Sequence, residues 1–126
     1  MADYLNATPR DWIPDSFRRS KESNNNDKAK TNKVNQFTAD VWDVLDNAGN
    51  VLLSKHKDYG PTNISLSPGG PLNGLRVRMH DKTARINHLI DNGATPENES
   101  LRDSFLDLLN YSAIALLVLD NKWPSD

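Results

Sequence analysis

The sequence predicts an all-α protein, a small bundle of three long helices preceded by a disordered polar tail. Three observations carry this. Apolar residues recur at steps of three and four through three separate stretches. Short alternating runs of β-branched and aromatic residues, the mark of strands, are almost absent. Glycine and proline gather mostly between the stretches, where they punctuate the chain. At 126 residues the chain supports one modest domain whose core needs no staples.

Residues 1–36 read as the tail and residues 37–126 as the helical domain. The tail carries SKESNNNDKAKTNK and has no apolar repeat, so it buries too little surface to offset the entropy of ordering. Trp12, Ile13 and Phe17 form a small apolar group within it, either loosely associated or available to a partner.

The first helix is expected from about residue 38 to 57, because Val41, Val44, Leu45, Ala48, Val51 and Leu52 share one face and Thr38 suits an N-cap. Gly49 weakens it by roughly 1 kcal/mol relative to alanine. Gly60 and Pro61 end it, and SLSPGGP is too densely punctuated to be anything but a loop. The second helix is expected over Pro71–Asn92, with proline at its first position and Gly93 as its stop. Leu72, Leu75, Met79, Ile86, Leu89 and Ile90 make its apolar face; Gly74, Arg78, Asp81, Arg85 and His88 make the other. The third helix is expected over about residues 99–121. Its second half, YSAIALLVL, is apolar nearly all round and reads as the buried central helix. The surplus of apolar surface suggests a homo-oligomer, or cover from a short helix in the tail.

Composition removes several function classes. A formal charge of -2 provides no basic field, so strong non-specific nucleic-acid binding is not expected. The absence of cysteine excludes disulfides, thiolate metal sites and cysteine nucleophiles. No secretory or lipidation signal opens the chain, and the apolar run at 111–119 falls short of the roughly 20 residues of a membrane span, so a cytoplasmic protein is expected. His56, His80 and His88 lack metal-ligand spacing, and no P-loop, dinucleotide fingerprint, nucleophile elbow or kinase motif set occurs.

Three constellations remain. Glu99, Asp103 and Asp107 are spaced four apart on the expected third helix, with Asn110 close to the same stripe. Such a stripe is either solvated or neutralised by cations, and Mg2+ is one that takes a few carboxylate oxygens and keeps waters for phosphate. Arg78, Asp81, Lys82 and Arg85 gather on the second helix, to hold phosphate or to pair with carboxylates in the bundle. The segment KHKDYGPTN supplies Lys55, Asp58, Tyr59 and Asn63 from a loop, where binding residues concentrate.

These same residues carry a family resemblance. KHKDYGPTNIS, GPLNGLRVRMHDKTARINHLI and ENESLRDSFLDLLNYSAIALLVLD, within about residues 51–123, resemble the nucleotide modification associated domain of the first type, which occurs in many bacteriophage genomes and some bacteria. The matching pattern is Asp58-Tyr59-Gly60, then Lys82 with Arg85 and Ile86, then Asp103, Asp107 and Tyr111. The resemblance implies a phage protein of nucleotide metabolism or DNA base modification. The helical layout, with Glu99 and Asp103 as an E-x-x-x-D step, is also similar to nucleotide pyrophosphohydrolases of the MazG type. Those complete a Mg2+ site from a doubled glutamate motif on an earlier helix, where this chain offers Asp43 and Asp46.

Two functions follow as expectations. One is a Mg2+-dependent diphosphohydrolase, with Glu99, Asp103 and Asp107 as catalytic metal ligands and Arg78, Lys82 and Arg85 on the phosphates. The other is a non-catalytic nucleotide-binding protein, sequestering or accessory to a base-modifying enzyme. Its nucleotide contacts would come from Lys55, Asp58, Tyr59, Asn63, Arg78, Asp81, Lys82, Arg85 and Asn110.

Overall fold

Helices form wherever the sequence gives an apolar face or good caps, and the structure, a computed structural model, contains no strand among its described residues, 25–93 and 95–126. Four helices follow one another: α1 Asn25–Tyr59, α2 Thr62–Ser65, α3 Pro71–Asn92 and α4 Leu101–Leu119. None is long and apolar enough to cross a membrane. The chain forms two compact units that divide within α1, Met1–Asn47 and Ala48–Asp126. The reading of residues 1–24 as tail, Trp12 and Phe17 included, lies outside the described residues.

Helix α1 starts at Asn25, well before Thr38. Apolar periodicity marks where a helix has a face to bury, not where its hydrogen bonding begins, and DKAKTNK contains good helix formers without such a face. Gly49 is passed without interruption. In the first unit, Gln36 donates to Asp40 one turn on at 2.9 Å. Gly60, with φ 65°, ends the helix by donating its amide to the His56 carbonyl at 2.8 Å.

The remainder belongs to the second unit. The stretch expected to be wholly loop contains one helical turn, α2, which lowers Ile64 into the core. Helix α3 spans the residues expected, entered through Gly70 with Pro71 in its first turn and closed by Gly93 in the left-handed region. Helix α4 begins later than expected because Ser100 is its N-cap. The Ser100 hydroxyl accepts from the Asp103 amide at 3.0 Å, and Asp103 accepts from the Ser100 amide at 3.2 Å, a capping box.

Helices α3 and α4 pack on one another, with α2 against α3. Ala48, Ile64, Leu75 and Ile86 form the buried apolar centre, joined by Ser104. The expectation that the apolar second half of this helix makes it the buried central one is corrected: Leu116 and Leu119 in that half are each more than half exposed, as is Phe105 before it. A helix that packs mainly on one neighbour covers one stripe only, whatever its composition.

The join between the α2 loop and α3 depends on Gly74. A Cβ there would lie 1.9 Å from the Ser67 hydroxyl and 2.6 Å from the Ser67 Cβ. Turning the hydroxyl relieves the first clash but not the second. Gly74→Ala is therefore expected to destabilise the protein by about 1–3 kcal/mol despite alanine's better helix propensity, and Ser67→Gly in the same chain is expected to restore most of the loss in urea denaturation.

Candidate functional site

The last turns of α1 place Leu52, Lys55, His56 and Tyr59 toward a cavity of about 330 Å³ in the second unit. Asp107, Asn110, Tyr111 and Ile114, at steps of three and four along α4, supply the facing stripe. Gly60, Asn63 and Ile64 close one side from the α2 turn; Arg78 enters from α3 and Trp123 from beyond α4. The position of Trp123 follows from a chain reversal. Asn121 adopts φ 54°, and the amides of Lys122 and Trp123 both donate to the Leu117 carbonyl, at 2.8 and 3.2 Å. The indole then donates to the Pro61 carbonyl at 3.2 Å and stands edge-on to His56, ring centres 5.2 Å apart. Ser65 donates to the Ser125 carbonyl at 3.2 Å, a second tie on this terminal strap.

Charge is arranged as an alternating row. Asp107 accepts from Lys55 at 3.0 Å through one carboxylate oxygen and from Lys82 at 2.9 Å through the other. Lys82 also donates to both Glu99 oxygens, at 2.8 and 3.0 Å. Arg85 lies 3.6 Å from Glu99, donates to its backbone carbonyl, and donates to the fully buried Ser104 hydroxyl at 3.2 Å. Burial alone would push the Asp107 carboxyl upward, but the hydrogen bonds from Lys82 and Lys55 outweigh it and hold Asp107 below the ordinary carboxylate range. The bond to Asp107 raises Lys55 above its ordinary value. Burial opposes the charge on Lys82, yet its bonds to Glu99 and Asp107 prevail and raise it too.

Of the residues expected to bind nucleotide, Lys55, Tyr59, Asn63, Arg78 and Asn110 line the cavity, with Asp107 from the expected metal set. Lys82 and Arg85 are engaged with the carboxylates and do not line the cavity; Asp58 and Asp81 are exposed and outside it. Arg78 donates to the Asn63 carbonyl at 3.3 Å, a bond that places its guanidinium beside the α2 turn.

The three expected metal ligands do not converge. Glu99 precedes α4, so the helical stripe of three carboxylates does not form. Asp103 is occupied with its own helix cap, and both Asp107 oxygens hold ammonium groups. Among the described residues, no three His, Cys, Asp or Glu side chains could hold a metal ion together. Asp43 and Asp46 belong to the first unit. As arranged, this donor set does not fit Mg2+, which needs carboxylate oxygens free of tethered cations.

His56, Ile114 and Trp123 enter the site without having been assigned to it. Ile114 was legible only as core, and Trp123 lies past the last helix, where periodicity gives no information. Two polar atoms here are left over: Asn110, only 7% exposed, has no partner for its amide nitrogen, nor has His56 for Nδ1. A buried donor without a partner is costly unless something enters to accept from it. The cavity can thus receive an anion at Lys55 and Arg78, a flat ring among Tyr59, Tyr111 and Trp123, and an acceptor at Asn110.

Comparison with curated proteins and with solved structures finds no match. A family model described as nucleotide modification associated domain 1 matches residues 55–119, from the Lys55 end of α1 through the whole of α4, and stops short of Trp123. By that match, over more than half of its length, the chain belongs to the nucleotide modification associated domain 1 family.

Proposed function

We propose that the cavity binds a phosphorylated nucleotide, and that the chain serves as a non-catalytic binding or accessory module in nucleotide metabolism or DNA base modification, in the phage setting its family resemblance implies. The observation that carries this reading is the lining itself: two cations, Lys55 and Arg78, stand with the aromatic rings of Tyr59, Tyr111 and Trp123 around one cavity. Lys55 and Arg78 against Asp107 leave the lining one positive charge in excess. A cavity of about 330 Å³ falls at the small end of the roughly 300–1,000 Å³ of ligand pockets, which suits one nucleoside with its phosphates at the mouth. Asn110 would donate to an acceptor on the base, and Arg78 would hold phosphate oxygens through its fork of donors. The family's description agrees with this setting. Metal-dependent hydrolysis is the less favoured reading, since the carboxylates it needs are held by lysines and by a helix cap.

The test is calorimetry of the purified chain against nucleoside mono- and triphosphates in EDTA, with product analysis on the same samples. Saturable binding without products is expected. Arg78→Ala is expected to weaken it at least tenfold, and Asn110→Leu to weaken it while leaving the free protein as stable or more so, because the leucine removes an unpaired buried donor. No binding of any nucleotide, or unaltered binding by both variants, would remove this cavity as the site.

A further inference from the structure

The Lys82 ammonium stands where Glu99 and Asp107 come together. It donates to both Glu99 oxygens, at 2.8 and 3.0 Å, and pairs with one Asp107 oxygen at 2.9 Å. An ammonium has three donors, and three carboxylate oxygens lie within reach of this one. The remaining Asp107 oxygen holds Lys55, and Arg85 stands beside Glu99. Two carboxylates are therefore surrounded by three cations, and a divalent ion approaching them meets a net positive charge with no oxygen free of a partner.

We propose that Lys82 is the resident cation of this site, a tethered ammonium in the position that a divalent ion bridging Glu99 and Asp107 would need, so that the cavity works without metal. Mg2+ and Mn2+ prefer one or two carboxylates plus water. Glu99 and Asp107 would offer that set if Lys82 were absent, because Lys55, whose side chain is 54% exposed, is free to turn toward solvent. The bridge also accounts for two carboxylates sharing one wall of the bundle: Lys55 and Arg85 each reach one of them, and only the Lys82 ammonium serves both. The lysine contributes a charge of one where a metal would contribute two, and it cannot leave or exchange. Ligand affinity at this site is then independent of metal concentration and of chelators.

The experiment is titration of Mn2+ into the full chain, following the free-ion paramagnetic resonance signal, for the wild type, Lys82→Ala, and Lys82→Ala with Glu99→Gln. The wild type is expected to take up no stoichiometric Mn2+. Lys82→Ala is expected to gain one site at least tenfold tighter than any in the wild type, and the added Glu99→Gln change to abolish it. Thermal unfolding supplies a second measurement, since Mn2+ should raise the midpoint of Lys82→Ala but not of the wild type. One tight Mn2+ in the wild type would overturn the proposal, as would a folded Lys82→Ala that gains none. Should Lys82→Ala not fold in EDTA, recovery of its helical circular dichroism on adding Mn2+ is expected, and failure to recover would count against the proposal. The consequence for ligand rests on the nucleotide-binding reading and is tested separately. A nucleoside monophosphate, which carries little Mg2+ of its own, is expected to bind equally in EDTA and in Mg2+, whereas tenfold tighter binding in Mg2+ would overturn metal independence. Absence of nucleotide binding in both conditions would defeat the nucleotide reading and leave the Mn2+ result to decide the role of Lys82.

Discussion

Lys82→Met is expected to lower the free energy of unfolding by about 2–3 kcal/mol, measured by urea denaturation at neutral pH. Methionine keeps the length and the apolar stem, so packing changes little; what is lost is the charge between Glu99 and Asp107. Breaking a fully buried ion pair costs about 3–5 kcal/mol. The Lys82 side chain is 21% exposed and Asp107 14%, so water reaches the site and moderates that figure. Lys55 and Arg85 remain to compensate one carboxylate each, which moderates it further. The loss still exceeds that of a surface pair, about 0–1 kcal/mol, because two half-buried carboxylates on the α4 side lose the ammonium that α3 places between them.

The pH dependence has a definite sign. Asp107 is held below its ordinary value, so its share of stability is in place above the unfolded pKa of about 3.9 and is lost as pH falls through the lower folded value. Lys82 is raised, so its share is fully present below about 10.4 and disappears as pH rises through the higher folded value. The difference between wild type and Lys82→Met should thus be flat from about pH 5 to 9 and shrink below about pH 4. A difference under about 0.5 kcal/mol at pH 7 would place the bridge among screened surface pairs.

The part of this architecture that was legible from sequence is the part set by local backbone chemistry. Pro71 and Gly93 have preferences that act at their own positions, and they bound α3 at the residues where it is found. The start of α1 was not legible, because 25–36 has helix-forming residues but no apolar face to reveal them. The carboxylate stripe was misread through a small error in register. With Ser100 as N-cap, Glu99 falls outside α4, and the rule that residues four apart share a face does not reach it. Serine followed by an acidic residue three positions on was the available sign of that cap. Which cation would meet which carboxylate depends on how α3 docks on α4. Arg85 pairs with Glu99 rather than Asp81, and Lys82 takes Asp107. Trp123 depends on a reversal at Asn121, one residue in an uncommon backbone region, and no spacing rule foretells it.

Asp107→Asn separates the two chemical roles that an acidic residue in this cavity could have. The amide keeps the shape and one acceptor oxygen but removes the negative charge from a lining that otherwise holds Lys55 and Arg78. If phosphate rests at Lys55, the change releases that ammonium from its 3.0 Å partner and removes a repulsion. Affinity for a nucleoside monophosphate is then expected to rise by about 1 kcal/mol, a little over fivefold, at low salt and by less as salt screens the site. The same variant is expected to be less stable by about 2 kcal/mol, since Lys82 loses one of its two carboxylates. A catalytic metal ligand would behave in the opposite way, with turnover abolished and ligand binding weakened in Mg2+. A tenfold loss of affinity in EDTA would instead make Asp107 an acceptor for the ligand itself, such as a sugar hydroxyl, and would move the phosphate from Lys55 toward Arg78. Stability and affinity changing in opposite directions within one substitution is the outcome that places the phosphate at Lys55, because general damage to the fold lowers both.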